Sequence, residues 1–133
     1  MAATAMWRGD AASRALGLRL VEVDEGRAVL ELTVAERHCN GHGICHGGVT
    51  FTLADSAFAY ACNSRNQTTL AQHNTISYLA PGRVGDVLRA EAAETDLSGR
   101  SGIYDVTVSD QEGRRIALFR GFSRAVGGAV FEE

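Results

Sequence analysis

Apolar positions keep helical spacing near the start and in the middle of the chain, and alternate elsewhere. Over residues 5–16, Met6, Ala11 and Leu16 share helical spacing and the run stops at Gly17, which predicts a short helix. Residues 18–24 (LRLVEVD) and 27–34 (RAVLELTV) read as strands. In the second, Ala28, Leu30, Leu32 and Val34 alternate with Arg27, Val29, Glu31 and Thr33. Asp24-Glu25-Gly26 between them reads as a hairpin turn. Residues 35–46 form a long loop, a feature that is usually functional in a compact domain. Residues 47–63 read as one long helix, apolar nearly all round through Phe51, Leu53, Ala54, Ala57, Phe58, Tyr60 and Ala61. Such a helix is buried on most sides, as if a sheet wraps it. Strands follow over 68–79, 87–97, 103–109 and 115–126, separated by Pro81-Gly82, Ser98-Gly99 and Asp110 to Gly113. A helix, two strands, a long helix and four strands describe an α+β domain, with an antiparallel sheet and one helix on one face.

Composition narrows the picture. A length of 133 residues suits a single domain, 1–133, and the 45% hydrophobic and 22% charged content is ordinary for a soluble globular chain. A net charge of −3 provides no basic field, which argues against nucleic acid as a partner. All 13 cations are Arg, a residue suited to bidentate phosphate contacts. No apolar run approaches the ~20 residues of a membrane span. The start, MAATAMWRGDAA, lacks the pattern of a signal peptide. Three Cys residues make no secreted disulfide framework, and the expected compartment is a reducing cytoplasm.

The candidate chemistry lies between His38 and Asn63, where HCNGHGICHGG runs into VTFTLADSAFAYACN. A carboxylate on an apolar helix, Asp55, is costly unless paired or used. Phe51, Phe58 and Cys62 share its face, so burial should raise its pKa and make it a better base. Gly47 and Gly48 open the helix, where free N–H groups can meet a developing oxyanion and the missing Cβ permits close approach. Asn40 and His46 are placed to orient the loop or the reacting group. Gly47 and Asp55 are eight residues apart, about 12 Å along a helix, too far to serve one carbonyl from one subunit. A two-fold partner would bring a second helix start over this Asp. The loop also holds His38, Cys39, His42, Cys45 and His46, but it lacks the second cluster a usual zinc site needs, and no metal is expected.

NGHGICHGG, LADSAFAYACNS, YLAPGRVGD and GIYDVTV…ALFRG together resemble the hotdog-fold acyl-CoA thioesterases of phenylacetic acid degradation, the PaaI type, from about residue 15 to residue 128. The resemblance implies a curled antiparallel sheet around one central helix. It implies hydrolysis of phenylacetyl-CoA or its ring-hydroxylated forms, with CoA as part of the substrate and no separate cofactor. It also implies a cytoplasmic homodimer or dimer of dimers with shared active sites. Asp55 then acts as general base or nucleophile, while Asn40, His46, Gly47 and Gly48 position and polarise the thioester. CoA phosphates call for cations, and Arg83, Arg100, Arg120 and Arg124 are the candidates, with Ser101 and Gly102 beside them. SGRSG is no P-loop, because it lacks the GK[ST] ending. Met6, Trp7, Phe58, Tyr60 and Tyr78 are candidates for the acyl pocket. Other readings are a thioesterase for medium-chain or other aryl acyl groups, a non-catalytic acyl-CoA-binding module, and a hotdog dehydratase. The HGG-to-Asp spacing fits the last less well.

Overall fold

A computed structural model describes residues 2–132. Two short helices, α1 (Ala2–Gly9) and α2 (Ala11–Leu16), replace the single helix expected over 5–16. Gly9 and Asp10 break the run, and Asp10 restarts it as an N-cap whose Oδ1 accepts the Ser13 N–H at 3.1 Å. Gly17 ends α2 in the left-handed region at φ +84°, as the sequence suggests.

Six antiparallel strands follow: β1 (Arg19–Asp24), β2 (Arg27–Thr33), β3 (Thr69–Tyr78), β4 (Val87–Ser98), β5 (Ser101–Ser109) and β6 (Arg115–Ala125). Their order across the sheet is β1-β2-β4-β5-β6-β3. The long helix α3 (Gly47–Cys62) packs against all six strands. Alternate strand residues such as Leu30, Leu32, Leu88, Ala90, Val106 and Val108 meet Leu53, Ala54, Ala57 and Ala61 of the helix in one core. This is the expected α+β arrangement of a sheet curled round one helix. No helix among the described residues is long and apolar enough to cross a membrane.

The centre of the core is aromatic. The Phe58 ring lies 5.7 Å from Tyr104 and 5.8 Å from Phe119, centroid to centroid. It fits because Gly121 of β6, paired with Tyr104, has no side chain. A Cβ there would stand 2.7 Å from two Phe58 ring carbons. Phe58 is 1% exposed and cannot swing away. Gly121→Ala is therefore expected to cost about 1–3 kcal/mol by overpacking, lowering the melting temperature by roughly 4–12 °C in calorimetry. An unchanged transition would show that the core yields there.

The loop 35–46 is more ordered than an aperiodic sequence suggests. A 3₁₀ turn (Glu36–His38) is held by the buried His38. Its Nδ1 accepts the Ala35 N–H at 2.9 Å, and Nε2 lies 2.7 Å from the Leu16 carbonyl, which can only accept. The proton therefore resides on Nε2. Cys39 and Cys45 then pair as a one-residue antiparallel bridge, flanked by Asn40 N–H to Ile44 O at 2.9 Å and His46 N–H to His38 O at 2.8 Å.

The two sheet edges differ. β3 is ten residues long, bonds only to β6, and is exposed over most of its length. Leu70 and Tyr78, near its two ends, are 56% and 54% exposed. A long open edge carrying apolar residues is a template for another strand.

Candidate functional site

His46 is the N-cap of α3, and its Nδ1 accepts the Gly48 N–H at 2.8 Å. The Val49 and Thr50 N–H groups both donate to the His46 carbonyl, at 2.9 and 3.2 Å. That leaves the Gly47 N–H as the one amide of the first turn with no acceptor among the described residues. The pair of donors expected at Gly47 and Gly48 thus narrows to Gly47, while His46 shapes the helix start. Asn40 folds the preceding loop, its Oδ1 accepting the His42 N–H at 2.9 Å and the Ile44 N–H at 3.4 Å. Its amide Nδ2 has no acceptor among the described residues. Tyr78, at the end of β3, donates its hydroxyl to the Gly47 carbonyl at 3.1 Å. Asn40, Gly47, Thr50 and Tyr78 line a cleft of about 360 Å³. The sequence offers Tyr78 only as an acyl-pocket aromatic, because nothing local ties the end of β3 to the start of α3.

Asp55 lies two turns further along α3 and lines a different cleft, of about 480 Å³, with Met6, Phe58, Cys62, Leu70 and Val130 among its walls. It is half-buried and its carboxylate has no hydrogen-bond partner among the described residues. Burial pushes its pKa above the ordinary carboxylate value, the direction expected of a base in an apolar recess. Cys62 shares the cleft, but burial raises its thiol to about 12, which keeps it protonated and leaves Asp55 as the candidate reactive group there. Of the aromatic candidates, Phe58 reaches this cleft. Tyr60 is core: its hydroxyl donates to Asp10 Oδ2 at 3.0 Å and Trp7 packs on it at 6.2 Å.

The two clefts are separate within one protomer, as the helix arithmetic requires. They also fall at opposite ends of β3. Thr69, Leu70 and Ala71 line the Asp55 cleft, whereas Tyr78 and Leu79 line the Gly47 cleft.

The arginine candidates divide. Arg100, Ser101 and Arg124 gather at the β4–β5 turn, where Ser101 pairs with Arg124 across strands and its Oγ accepts from Arg124 Nη1 at 3.4 Å. Arg83 follows the Pro81-Gly82 wall of the Gly47 cleft, with no side-chain partner among the described residues. Arg120 is engaged by Asp105 in two bonds of 2.7 and 2.9 Å. Gly102 is buried, and a Cβ there would lie 2.8 Å from Ser123 Oγ and 2.9 Å from Tyr104, so its role is packing. Among the described residues no three His, Cys, Asp or Glu side chains converge to hold a metal. In the loop set, His38 has both ring nitrogens engaged by backbone.

A long helix wrapped by six antiparallel strands is matched among known proteins. The model of the Thioesterase superfamily matches residues 42–117. The chain belongs to this superfamily. The acyl-coenzyme A thioesterase PaaI of Escherichia coli K12 is 44% identical over 98% of this chain and 94% of its own length. The structure of the E. coli PaaI protein from the phenylacetic acid degradation operon superposes with a TM-score of 0.94, at 45% identity over 96% of this chain and 92% of that one. The TT0310 protein of Thermus thermophilus superposes at 0.82, with 38% identity over 86% and 96%. The family expected from the motifs is therefore the family found: a thioester hydrolase of the PaaI type on the hotdog fold.

Proposed function

We propose that this thioesterase hydrolyses acyl-CoA, with phenylacetyl-CoA or a ring-hydroxylated phenylacetyl-CoA as its substrate in aromatic catabolism, at sites shared between two protomers. The carrying observation is the placement of the two half-sites at opposite ends of the open edge strand β3. When two copies of that strand pair antiparallel about a two-fold axis, the start of one lies beside the end of the other. The Asp55 cleft of each protomer then meets the Gly47 cleft of its partner. The same pairing closes the exposed edge and covers Leu70 and Tyr78. A dimer of dimers would follow the PaaI pattern, in the cytoplasm.

In such a site the thioester carbonyl oxygen accepts the free Gly47 N–H, with the Asn40 amide beside it. Hydrogen bonds there strengthen as negative charge develops on the oxygen. Asp55 either draws a proton from a water that adds to the carbonyl carbon, or attacks that carbon itself to give a mixed anhydride that water then hydrolyses. In both routes CoA departs as a thiolate, which needs no strong acid. Tyr78 and His46 hold the helix start in position through Gly47 O and Gly48 N–H. Arg83, Arg100 and Arg124, with Ser101, are the cations and hydroxyl for the CoA phosphates. No step calls for a metal or a cofactor. A purely binding module would have no use for an unpartnered carboxylate in an apolar recess, since a neutral residue there is more stable.

Steady-state kinetics over phenylacetyl-, hydroxyphenylacetyl-, benzoyl- and medium-chain acyl-CoA test the substrate. The highest kcat/KM is expected for the phenylacetyl pair, and a clear preference for an aliphatic chain overturns the aryl reading.

A further inference from the structure

We infer that Ala129 and Val130, in the segment after β6, form the acyl-selecting wall of the Asp55 cleft, and that Asn66 is the residue that holds them there. The inference rests on the acyl-CoA reading of that cleft.

The chain path shows how the wall is made. Gly127 and Gly128 take φ +92° and +82° and fold the chain back after β6. Backbone bonds tie the turn to the start of β3: Thr68 N–H donates to Gly128 O, and Val126 N–H to Thr68 O, each at 2.9 Å. Asn66 completes the attachment. Its Oδ1 accepts the Val130 and Phe131 N–H groups, both at 3.0 Å, and its Nδ2 donates to the Phe131 carbonyl at 3.1 Å. The amide is used on the tail through both of its polar atoms. Asn66 is also the one non-glycine residue with positive φ, +58°, among the described residues. Asn tolerates this conformation better than most side chains do.

Held in this way, Ala129 and Val130 stand in the cleft wall with Met6, Phe58 and Leu70, and Asp55 is part of the same lining. No Arg lines this cleft, so it suits the apolar end of the substrate and not the phosphates. Asn66 itself is not in the lining. It acts through Val130, as a positioning residue. The tail is otherwise lightly secured, with Ala129 exposed and Val130 half-buried. The room beside Asp55 is therefore set by a small side chain on a segment whose last residues, beyond the Gly128 bond to Thr68, are held by the Asn66 amide.

The test compares kcat/KM for phenylacetyl-CoA and acetyl-CoA in the full-length protein and three variants. Val130→Phe fills the wall and is expected to lower the phenylacetyl-to-acetyl ratio by about tenfold or more, the scale of a steric mismatch in an apolar pocket. Val130→Ala, which only removes atoms, is expected to move the preference toward bulkier acyl groups, and it keeps the test open if Val130→Phe does not fold. Asn66→Ala is expected to shift the same ratio and to speed amide exchange at Val130 and Phe131, whose N–H groups lose their acceptor. An equal effect on both substrates, or none, in the Val130 variants overturns the wall. Unaltered exchange at Val130 and Phe131 in Asn66→Ala overturns the holding role. Asp55→Asn is assayed in parallel. If it is inactive while the ratios stay fixed, only the tail inference fails; if it remains active, the reading of the cleft fails with it.

Discussion

Asp55→Asn is expected to lower acyl-CoA turnover by about 10²–10⁴-fold, the range that a positioned base contributes. The fold has no need of the carboxylate: no hydrogen bond or ion pair within the described residues uses it. Its burial has two consequences of opposite value. In wild type, kcat/KM should fall as pH drops through the Asp55 pKa, with the inflection above the ordinary carboxylate range. Stability should run the other way. A carboxyl whose pKa is higher folded than unfolded binds its proton more tightly in the native state, so its contribution is full at low pH and is lost as pH rises through the folded value. Asp55→Asn should thus melt at or above the wild-type temperature at neutral pH, and the difference should vanish in acid. Near-wild-type turnover removes Asp55 from the chemistry. A large drop in melting temperature at neutral pH assigns it a structural role instead.

Gly47→Pro is the second large effect, because it replaces the amide hydrogen with a ring carbon and leaves the helix start intact. Gly47 is the first residue of α3, the position where proline is best tolerated. His46 before it already has φ −59° and ψ 135°, the extended conformation that a following proline requires. A Cβ at residue 47 meets Tyr78 at 3.4 Å, an ordinary contact. What disappears is the free N–H. Loss of one oxyanion donor is expected to cost about 10²–10³ in kcat. Gly47→Pro and Asp55→Asn also form a complementation pair. If sites are shared as proposed, each variant homodimer is strongly impaired, yet a mixed dimer has one site with both an intact Asp55 and an intact Gly47. Random assortment of the two chains should restore about a quarter of wild-type activity, since half the dimers are mixed and each has one working site of two. Co-expression with different tags checks this: the unfractionated mixture should give about a quarter, and the purified mixed dimer about half, of wild-type activity. No recovery would mean that each protomer completes its own site.

Much of this architecture was legible in the chain. The all-round apolar helix over 47–63 announced its own burial, and alternation over 27–34 set a strand with one face inward. Gly17 marked a helix end through the left-handed conformation that it favours. The acid and the glycine start were visible because an Asp among Phe, Ala and Leu is costly and because HGG offers unfilled amides. Where the reading was too simple, the reason lay in side-chain bonds. Gly9 and Asp10 divide the first helix because the Asp10 carboxylate prefers to cap. Residues 35–46 are ordered by a buried His38 and a one-residue backbone pairing of Cys39 with Cys45, neither of which has a period to detect.

From sequence alone followed the class of the fold, the candidate acid and its distance from the helix start, because helix rise and burial cost are local quantities; the family followed from the resemblance of its motifs. Tertiary structure decided the rest. It decided that Gly48 is capped by His46 and Gly47 is free, that Tyr78 braces the helix start, that Arg120 belongs to Asp105, and that Asn66 binds the Val130 and Phe131 amides beside the Asp55 cleft. Each of these depends on which two distant groups reach hydrogen-bond distance after the sheet curls, and no spacing along the chain encodes that.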